Sequence, residues 1–543
     1  MRNRTTTIAA AALAIALIAG VGLRTVALNR VPRGFNQDEA CNGYDAYSLL
    51  TTGRDQHGNF LPLTIQAFND YRMPLFDYSL TPVIGLFGLK PWAVRFGAAI
   101  WGIADLIAIA LIAAELIDIR AAAIAVSLLA LSPWHLIASR LGHEAITSSA
   151  TISWAAALFI TGVKRREAKW LIASGPIFGL SLYSYPITKL AAPLIIGWLA
   201  ILYWRELRTM ARAAAVAAGI FMLAAIPQAG LLFAHGAAMQ AHFRQLSVLG
   251  GAGGIAGLVR NWIASFGPAF LFGGGGLLTL APDGMALLWP MEAVLAMAGL
   301  AALFNPRRCR TALLLTGWIA VAAMPGAMIR PAPAAHPLHD LLMAVPVSLL
   351  AALGGIFLLD LELWKRAGRT AVRRAGCATL AGLAAILVIG QGICSTRTYF
   401  SGFSAGHEWL FQYGAEPAVR NAKRLAPPGA PIVIPLSFNQ PYIYVLFFNA
   451  YPPRRFFSKT VVGKERLFGS VLGFDRYRFG DPWRAYRELP HGAFVFPRTI
   501  VAPANPMRAF APRNERVIAF PALPAPPAMT IRAGRDVYEI VVK

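Results

Sequence analysis

Residues 92–116, WAVRFGAAIWGIADLIAIALIAAEL, form one long apolar run, and runs of this kind decide the fold of the chain. About 20 predominantly apolar residues are enough for a helix to cross the hydrocarbon core of a bilayer. Several other stretches of the 543-residue chain reach that length. β-barrel membrane proteins show short alternating segments instead. The sequence therefore predicts a polytopic α-helical membrane protein.

The composition supports this prediction. The chain is 57% hydrophobic and 14% charged, with a mean hydropathy of +0.53, whereas soluble domains carry about 25% charged residues. The N-terminal run resembles a signal peptide but lacks a convincing cleavage site, so we expect an uncleaved first span. Eleven spans are predicted, at about 7–29, 92–116, 121–138, 145–163, 169–185, 188–204, 211–232, 286–304, 311–329, 341–361 and 375–394.

The distribution of charge predicts how these spans are oriented. A net charge of +24 would suit nucleic acid, but much of it lies in short loops between spans. Eighteen lysines and arginines occupy alternate short loops, whereas the loops opposite carry one each, namely Arg140, Lys189 and Arg330. Basic loops stay on the cytoplasmic side. We therefore expect a multi-pass inner (plasma) membrane protein with a cytoplasmic N-terminus, an extracytoplasmic C-terminus and no nucleic-acid partner.

This topology divides the chain into a transmembrane module, 1–394, and an extracytoplasmic domain, 395–543, which is long enough to fold as a unit. Two further outer segments are predicted within the module, the first outer loop at 30–91 and a glycine-rich loop at 233–285. The tail predicts a mixed α/β domain. Its helix is AEPAVRNAKRL, and its strands lie in APIVIPL, GAFVFP, RVIAFPAL and DVYEIVVK.

Asp38 and Glu39 stand side by side just beyond the first predicted span. A carboxylate near the membrane surface can deprotonate an acceptor hydroxyl as a general base. The alternative is a solvated loop with scattered acids. For Asp45 and Asp55, further along the loop, we expect this ordinary solvated role.

Arg95 follows an aromatic-rich, apolar segment that we expect to lie along the membrane interface. At that depth a charge is costly and indicates a functional role, although a snorkelling anchor would also explain it. Two short outer turns add polar groups: Arg140, His143 and Glu144 in LSPWHLIASRLGHE, and Tyr183, Tyr185 and Lys189 in LYSYPITK. Arginine and lysine in a common outer cavity would suit a lipid phosphate. Taken singly, each could be an interface anchor.

Other motifs exclude several kinds of site. His143-Glu144 does not continue as HExxH, because residue 147 is Thr, and HPLH (336–339) lacks an evident third metal ligand. The sequence has no P-loop and no CxxC among its four cysteines. We therefore expect no required cofactor; a divalent metal is possible but not indicated.

Four stretches in this order resemble the GT-C class of membrane glycosyltransferases, in particular family 39, related to protein O-mannosyltransferases and the lipid A aminoarabinose transferase. They are NQDEACNGYDAYSLLTTGRDQHGNFLPL, MPLFDYSLTPVIGLFGLKPWAVRF, LSPWHLIASRLGHE and LYSYPITKLAAPL. In the tail, WLFQYGAEPAVRNAKRL and QPYIYVLFFNAYPPRRFF resemble a periplasmic domain of bacterial relatives.

The resemblance implies roles for matched positions. Asp38 would be the base toward the acceptor, with Glu39 beside it, and Arg95 would match an arginine at the start of the second span. Lys189, or Arg140, would contact the carrier phosphate, and Glu144 would be a second acid. The chain departs from relatives that place an arginine before the proline of the tenth span, since it has His339 and Asp340 there.

The implied function is inverting transfer of a sugar from a polyprenyl-phosphate donor to a hydroxyl of a protein, lipid or glycan on the extracytoplasmic side. Mannose, another hexose and an aminopentose all remain open. A transporter or flippase is the alternative from a different class, although no paired repeat halves are evident. A polysaccharide polymerase or ligase with a diphosphate-linked donor is another, and a non-catalytic scaffold is a third.

Overall fold

The structure is a computed structural model that describes residues 2–68, 70–248, 254–273, 282, 285–329, 336–360, 370–402, 410–458, 461–462, 471–497, 530–533 and 538–543. The chain forms two compact units, each built from two segments. The helical unit comprises Met1–Val26 and Ala98–Gly402, and the mixed unit comprises Ala27–Gly97 and Phe403–Lys543.

Helices account for most of the described residues. Up to residue 209 they are α1 (Arg2–Thr25), α2 (Gln37–Thr52), α3 (Leu75–Phe87), α4 (Pro91–Leu116), α5 (Ile119–Leu131), α6 (Pro133–Arg140), α7 (Ala145–Arg165), α8 (Ala168–Ser181), α9 (Thr188–Leu202) and α10 (Trp204–Thr209). The remaining helices are α11 (Ala211–Leu246), α12 (Gly254–Ala264), α13 (Pro268–Leu271), α14 (Pro290–Ala301), α15 (Cys309–Ala322), α16 (Met324–Ala327), α17 (Ala344–Leu359), α18 (Thr370–Ser401), α19 (Ala415–Leu425), α20 (Pro441–Phe448), α21 (Pro453–Phe457) and α22 (Pro482–Glu488). Short 3₁₀ turns at Ala302–Phe304 and Leu341–Met343 extend α14 and precede α17.

The helical membrane fold class is confirmed, but the count of eleven spans is not. In the described part of the chain, six helices are long and apolar enough to cross a membrane, or seven if α5 and α6 form one bent span. A helix lies at each of the eleven predicted positions. Several are short, however: α8 has 14 residues, α9 has 15 and α14 has 12.

The bent pair α5 and α6 follows from local sequence. Asp118 begins α5 as its N-cap, accepting the backbone N–H groups of Arg120 and Ala121. Pro133 then starts α6 one residue after α5 ends, because proline lacks the N–H that a continuing helix needs but fits the first helical turn. The two axes differ by 61°. The break leaves the last carbonyls of α5 without helical partners.

Two arginines of the helical unit connect α1 with the bent pair by binding carbonyls at helix ends. Arg24, near the end of α1, donates from Nη1 to the Ala130 carbonyl at 3.1 Å and from Nη2 to the Leu129 carbonyl at 3.2 Å, at the end of α5. Arg140, the last residue of α6, donates from Nη1 to the carbonyls of Leu23 and Val26 at the end of α1. A positive charge at a helix C-terminus is favourable. The exchange therefore fastens α1 to the bent pair.

A carboxylate balances this positive charge. Arg24 Nη2 lies 2.7 Å from His135 Nδ1, and His135 Nε2 lies 3.1 Å from Asp105 Oδ2. Ser149 donates its hydroxyl to the same oxygen at 2.5 Å. Arg24, His135 and Asp105 are each fully buried. The sequence analysis did not single out these three residues, which form a connected set of polar contacts among the buried helices.

The mixed unit contains a small hairpin and a seven-stranded sheet. The hairpin pairs β1 (Ile65–Ala67) with β2 (Asp70–Arg72). The sheet strands are β3 (Ile432–Pro435), β4 (Val461–Val462), β5 (Val471–Phe474), β6 (Tyr477–Gly480), β7 (Ala493–Pro497), β8 (Thr530–Ala533) and β9 (Tyr538–Val542). Their order is β4-β5-β6-β3-β7-β9-β8, with β3 parallel to β6 and β7 and the other pairs antiparallel.

The mixed α/β tail is confirmed. The helix at 415–425 and strands in three of the four predicted stretches are present. The stretch RVIAFPAL, at 516–523, lies outside the described residues. Sheet and helix α22 share an apolar core that includes Val433, Phe494, Phe496 and Val541. Alternating burial along short strands produces such a core.

The first outer loop packs within the same unit as the tail. Helix α2 lies against α20, where a Cβ on Gly43 would approach a ring carbon of Phe447 to 2.6 Å. Only glycine admits this close contact. The Tyr44 hydroxyl also donates to the Tyr451 carbonyl at 2.8 Å. The division into 1–394 and 395–543 stays a prediction; residue 394 itself lies inside α18.

We predict that Asp105→Ala destabilises the protein by about 3–5 kcal/mol, because it leaves the buried charge of Arg24 without a counter-charge. Thermal unfolding in detergent micelles measures the loss. Ser149→Ala, which removes only one neutral donor to the same carboxylate, should cost about 1 kcal/mol. Equal unfolding temperatures for Asp105→Ala and the wild type would show that Asp105 does not balance Arg24.

Candidate functional site

The acidic pair lies in the first turn of α2. Asn36 caps this helix: its side-chain oxygen accepts the N–H of Asp38 at 2.9 Å, and its own N–H donates to Glu39 Oε2 at 3.0 Å. This reciprocal arrangement is a capping box. The helix N-terminus favours negative charge. Both carboxylates are therefore held at fixed positions on a regular element of the mixed unit.

Glu39 forms a buried, two-pronged ion pair with Arg95. Arg95 Nε donates to Glu39 Oε1 at 2.8 Å, and Nη2 donates to Oε2 at 3.0 Å. Glu39 is fully buried and Arg95 is 1% exposed. Paired N–H···O bonds of this kind are the strong form of a charged hydrogen bond.

Arg95 uses its whole guanidinium in this arrangement. Nη1 donates to the carbonyls of Leu28 and Pro32, and Nη2 donates also to that of Gly34. An arginine has five N–H donors, and all five are engaged. The snorkelling anchor does not describe Arg95, because its charge is buried in protein. The geometry favours a residue that positions Glu39 over one that binds phosphate directly.

Asp38 differs from Glu39 in its surroundings. It is half-buried, and Gln37 Nε2 lies 3.4 Å from its Oδ2. Its neighbour is locked by Arg95, whereas part of Asp38 remains accessible. The two adjacent carboxylates thus have separate environments, a fixed one and an accessible one. The assignment of Asp38 as base stays a prediction.

The expectation that Asp45 and Asp55 are solvated loop acids is wrong. Both are fully buried. Asp55 closes its turn by accepting the backbone N–H groups of His57 and Asn59 at 2.9 Å each. Asp45 Oδ1 accepts the N–H of Gln56 at 2.8 Å. Residues 56, 57 and 59 lie in an irregular turn, and these carboxylates accept backbone N–H groups there that have no helix or sheet partner.

Arg72 is a buried cation that the sequence analysis did not single out. Its Nη2 donates to Asp45 Oδ2 at 2.9 Å and lies 3.8 Å from Asp77 Oδ1. Burial raises the pKa of the Asp45 carboxyl, and Arg72 opposes that rise. The only available signal was an arginine that ends a polar stretch before the apolar sequence MPLF. This cluster joins α2, the hairpin and α3 within the mixed unit.

The other predicted site residues belong to the helical unit. Arg140 is fully buried, and its guanidinium lies 4.8 Å from the ring centre of Phe400. Lys189, in the first turn of α9, is half-buried and has no carboxylate partner among the described residues. Tyr183 donates its hydroxyl to the Ala224 carbonyl at 2.8 Å. Arg140 already binds backbone carbonyls, so Lys189 is the cation here that is better able to bind a ligand.

Tyr185 and Glu144 meet a cluster of histidines. The Tyr185 ring lies 5.6 Å from His143 and 6.1 Å from His339, measured between centres. His339 in turn lies 4.5 Å from His336, and Glu144 Oε2 is 3.6 Å from His143 Nδ1. Within the described ranges, no three His, Cys, Asp or Glu side chains form a group that could hold a metal ion.

Asp340 closes the turn that carries these histidines. Its Oδ2 accepts the N–H of His336 at 3.1 Å, and its Oδ1 has no hydrogen-bond partner among the described residues. A Cβ on Gly326 would lie 2.3 Å from that oxygen, so the carboxyl is packed tightly. Burial raises the pKa of Asp340 to about 8 and lowers that of His336 to about 4. Burial thus favours the protonated form of the Asp340 carboxyl.

We predict that Asp340→Asn removes a pH dependence of stability. A raised pKa in the folded state stabilises the fold while Asp340 is protonated, and this contribution falls as the pH rises from about 4 to about 8. Burial lowers the pKa values of His336 and His339. Their contribution therefore makes stability rise with pH, but only below about pH 6.5. Between pH 6.5 and 8, thermal unfolding should show a falling wild-type stability that is flatter in the variant. Parallel curves would contradict the prediction.

Part of the chain matches a known protein family. Residues 72–230 match the family described as dolichyl-phosphate-mannose-protein mannosyltransferase. No curated protein sequence matches the chain.

Solved structures resemble the chain over most of its length. ArnT from Cupriavidus metallidurans, bound to undecaprenyl phosphate, is 14% identical, with a TM-score of 0.52 over 99% of this chain and 98% of its own. The archaeal oligosaccharyltransferase AglB from Archaeoglobus fulgidus, in complex with an inhibitory peptide and a dolichol-phosphate, is 15% identical, with a TM-score of 0.50 over 81% of this chain and 63% of its own. The chain thus has the fold of the GT-C glycosyltransferases and carries a segment that matches one of their families, which confirms the resemblance seen in its sequence.

Proposed function

We propose that the protein transfers a sugar from a polyprenyl monophosphate to an acceptor hydroxyl on the extracytoplasmic side of the inner membrane. The structures that it resembles were solved with undecaprenyl phosphate and with dolichol-phosphate, which supports a lipid-phosphate donor. The observation that carries the proposal is the half-buried Asp38 in the first turn of α2, beside a fully satisfied Glu39–Arg95 pair.

Asp38 acts as general base in this reaction. It takes the proton of the acceptor hydroxyl while the oxygen attacks the anomeric carbon of the donor sugar from the face opposite the phosphate. The new glycosidic bond forms as the bond to the phosphate oxygen breaks, so the anomeric configuration is inverted. The products are the glycosylated acceptor and a polyprenyl phosphate that retains the bonding electrons.

Glu39 and Arg95 prepare Asp38 for this task. A catalytic group must be held to within a fraction of an ångström of its productive position. The Glu39 carboxylate accepts the Asn36 N–H in the capping box and pairs with Arg95. These two contacts fix the first turn of α2. Because Arg95 neutralises Glu39, the like charge beside Asp38 is offset.

Lys189 stabilises the leaving lipid phosphate. An ammonium group is a compact charge that suits a phosphate whose negative charge grows as the bond breaks. Arg140 holds the end of α1 through its backbone contacts and is the second candidate for this role. The reaction needs no nucleotide, because the lipid-linked sugar is already activated.

We predict that Asp38→Asn lowers the transfer rate by 10²–10⁴-fold, the usual contribution of a general base. The assay measures transfer of labelled sugar from a polyprenyl-phosphate donor to envelope acceptors in membranes. Glu416→Gln, which changes an exposed carboxylate on α19, is the matched control and should retain activity. Wild-type turnover by Asp38→Asn would exclude the assigned base.

We predict that Lys189→Ala weakens donor binding at least tenfold, because the lipid phosphate loses its counter-charge. Binding of a fluorescent polyprenyl phosphate to the detergent-solubilised protein measures this. Lys169→Ala removes an exposed lysine that pairs with Glu167, and it should bind as the wild type does. Unchanged affinity in Lys189→Ala would remove Lys189 from the phosphate site.

The same preparations separate the alternatives. Movement of a lipid-linked sugar across proteoliposomes without any acceptor would favour a flippase. Product from a diphosphate-linked donor alone would favour a polymerase or ligase. Product from a monophosphate donor supports the proposal, and the mass added to the acceptor identifies the sugar.

A further inference from the structure

A basic pocket lies in the mixed unit, between the sheet and the residues that surround its β5–β6 turn. Its volume is about 920 Å³, within the range of about 300–1,000 Å³ typical of small-molecule sites. The charged side chains that line it are Lys423, Arg455, Arg476, Arg478, Asp475 and Glu488. All of its lining residues come from the segments 423–455 and 475–489.

The positive charge in this basic pocket exceeds the negative charge. Arg455 Nη2 pairs with Asp475 Oδ2 at 2.7 Å. Lys423, Arg476 and Arg478 meet no carboxylate within 4.0 Å in the described part of the chain. Three cations that share a concave surface repel one another, and a bound anion would relieve that repulsion.

Backbone contacts hold part of this charge in place. Arg478 Nη1 donates to the carbonyls of Asp475 and Tyr477, at 2.8 and 3.0 Å. Arg476 makes longer contacts with the carbonyls of Pro427 and Lys423, at 3.4 and 3.5 Å. When some N–H groups of a guanidinium bind backbone carbonyls, the side chain is held in one orientation. Its remaining N–H groups can then bind an anion at a lower entropy cost.

The uncharged and acidic lining groups suit hydroxyls. The Tyr451 hydroxyl and Arg455 both contact Asp475, which is thereby fixed as an acceptor. Asn449 Nδ2 donates to the Tyr477 hydroxyl at 3.4 Å, and its carboxamide carries a further donor and an acceptor. Mixed donors and acceptors at fixed positions recognise several hydroxyls at once, which a simple phosphate ion does not offer.

We infer that the basic pocket binds an anionic saccharide, a sugar that bears a phosphate or carboxylate group. The cations bind the acidic substituent, and Asp475 and Asn449 bind hydroxyls of the ring. Resting on the proposed function, this saccharide is the carbohydrate part of the acceptor. The pocket then determines which envelope molecule receives the transferred sugar.

Binding to the full-length protein in detergent micelles tests this inference without donor or transfer. Calorimetric titration at low ionic strength compares glucose 6-phosphate, glucose, inorganic phosphate and a short polyglutamate peptide. Glucose 6-phosphate should bind at least tenfold more tightly than each of the others, and added salt should weaken it. Equal affinity for inorganic phosphate, tighter binding of the peptide, or no binding of any probe would overturn the inference.

Variants locate the binding. Lys423→Ala with Arg476→Ala should weaken glucose 6-phosphate at least tenfold, while Arg424→Ala with Arg454→Ala removes the same charge from exposed residues outside the pocket and should not. If the first pair fails to fold, Arg478→Glu, at an exposed side chain, replaces it. Unchanged binding in these pocket variants would overturn the assignment. Wild-type transfer by Asp38→Asn with saccharide binding intact would overturn the assigned base and leave the pocket standing, so the two proposals fail separately.

Discussion

The buried pair between Glu39 and Arg95 is the interaction on which the mixed unit's candidate site depends. An ion pair removed from water is tolerated only when every donor and lone pair finds a partner. Arg95 meets this condition with one carboxylate and three carbonyls from residues 28–34. The irregular chain ahead of α2 is consequently tied to the first turn of α4. Asp38 inherits its position from that arrangement.

Buried arginines also find partners in the helical unit, but the partners are of a different kind. There the acceptors are backbone carbonyls at the C-terminal ends of α1 and α5. Arginine side chains reach these carbonyls from the neighbouring helix, and Asp105 offsets the charge through His135. In both units, buried arginines donate hydrogen bonds to backbone carbonyls as well as to side chains. This explains how a chain with +24 net charge can bury several arginines.

Periodicity and composition predicted the elements of this fold well. Apolar runs located a helix at every expected position. The role of Asp38 and Glu39 stays a prediction. The α/β character of the tail also followed from its strand-like stretches. These properties are local: each depends on residues within about 20 positions of one another.

What sequence reasoning missed depends on distant partners. Arg24 and His135 are 111 residues apart, and Arg72 and Asp45 are 27 apart. Nothing local shows that Asp45 and Asp55 are buried, because a polar loop between spans has the same composition whether it is solvated or packed. Arg24 and Asp105 did carry a readable signal, since ionisable residues inside predicted spans are costly and rarely accidental. The count of eleven spans stays unconfirmed, because α8, α9 and α14 are too short to be counted as spans by length alone.

The exchange of arginines between α1 and the bent pair has a consequence for biosynthesis. The ribosome makes α1 before α6, and more than a hundred residues separate the two helices. During that interval Arg24 has neither the α5 carbonyls nor His135, and the end of α1 lacks Arg140. An unmatched charge of this kind is costly inside a bilayer. The α5 carbonyls, His135 and Arg140 lie on either side of the break at Ser132 and Pro133, so that one short segment supplies all of these partners.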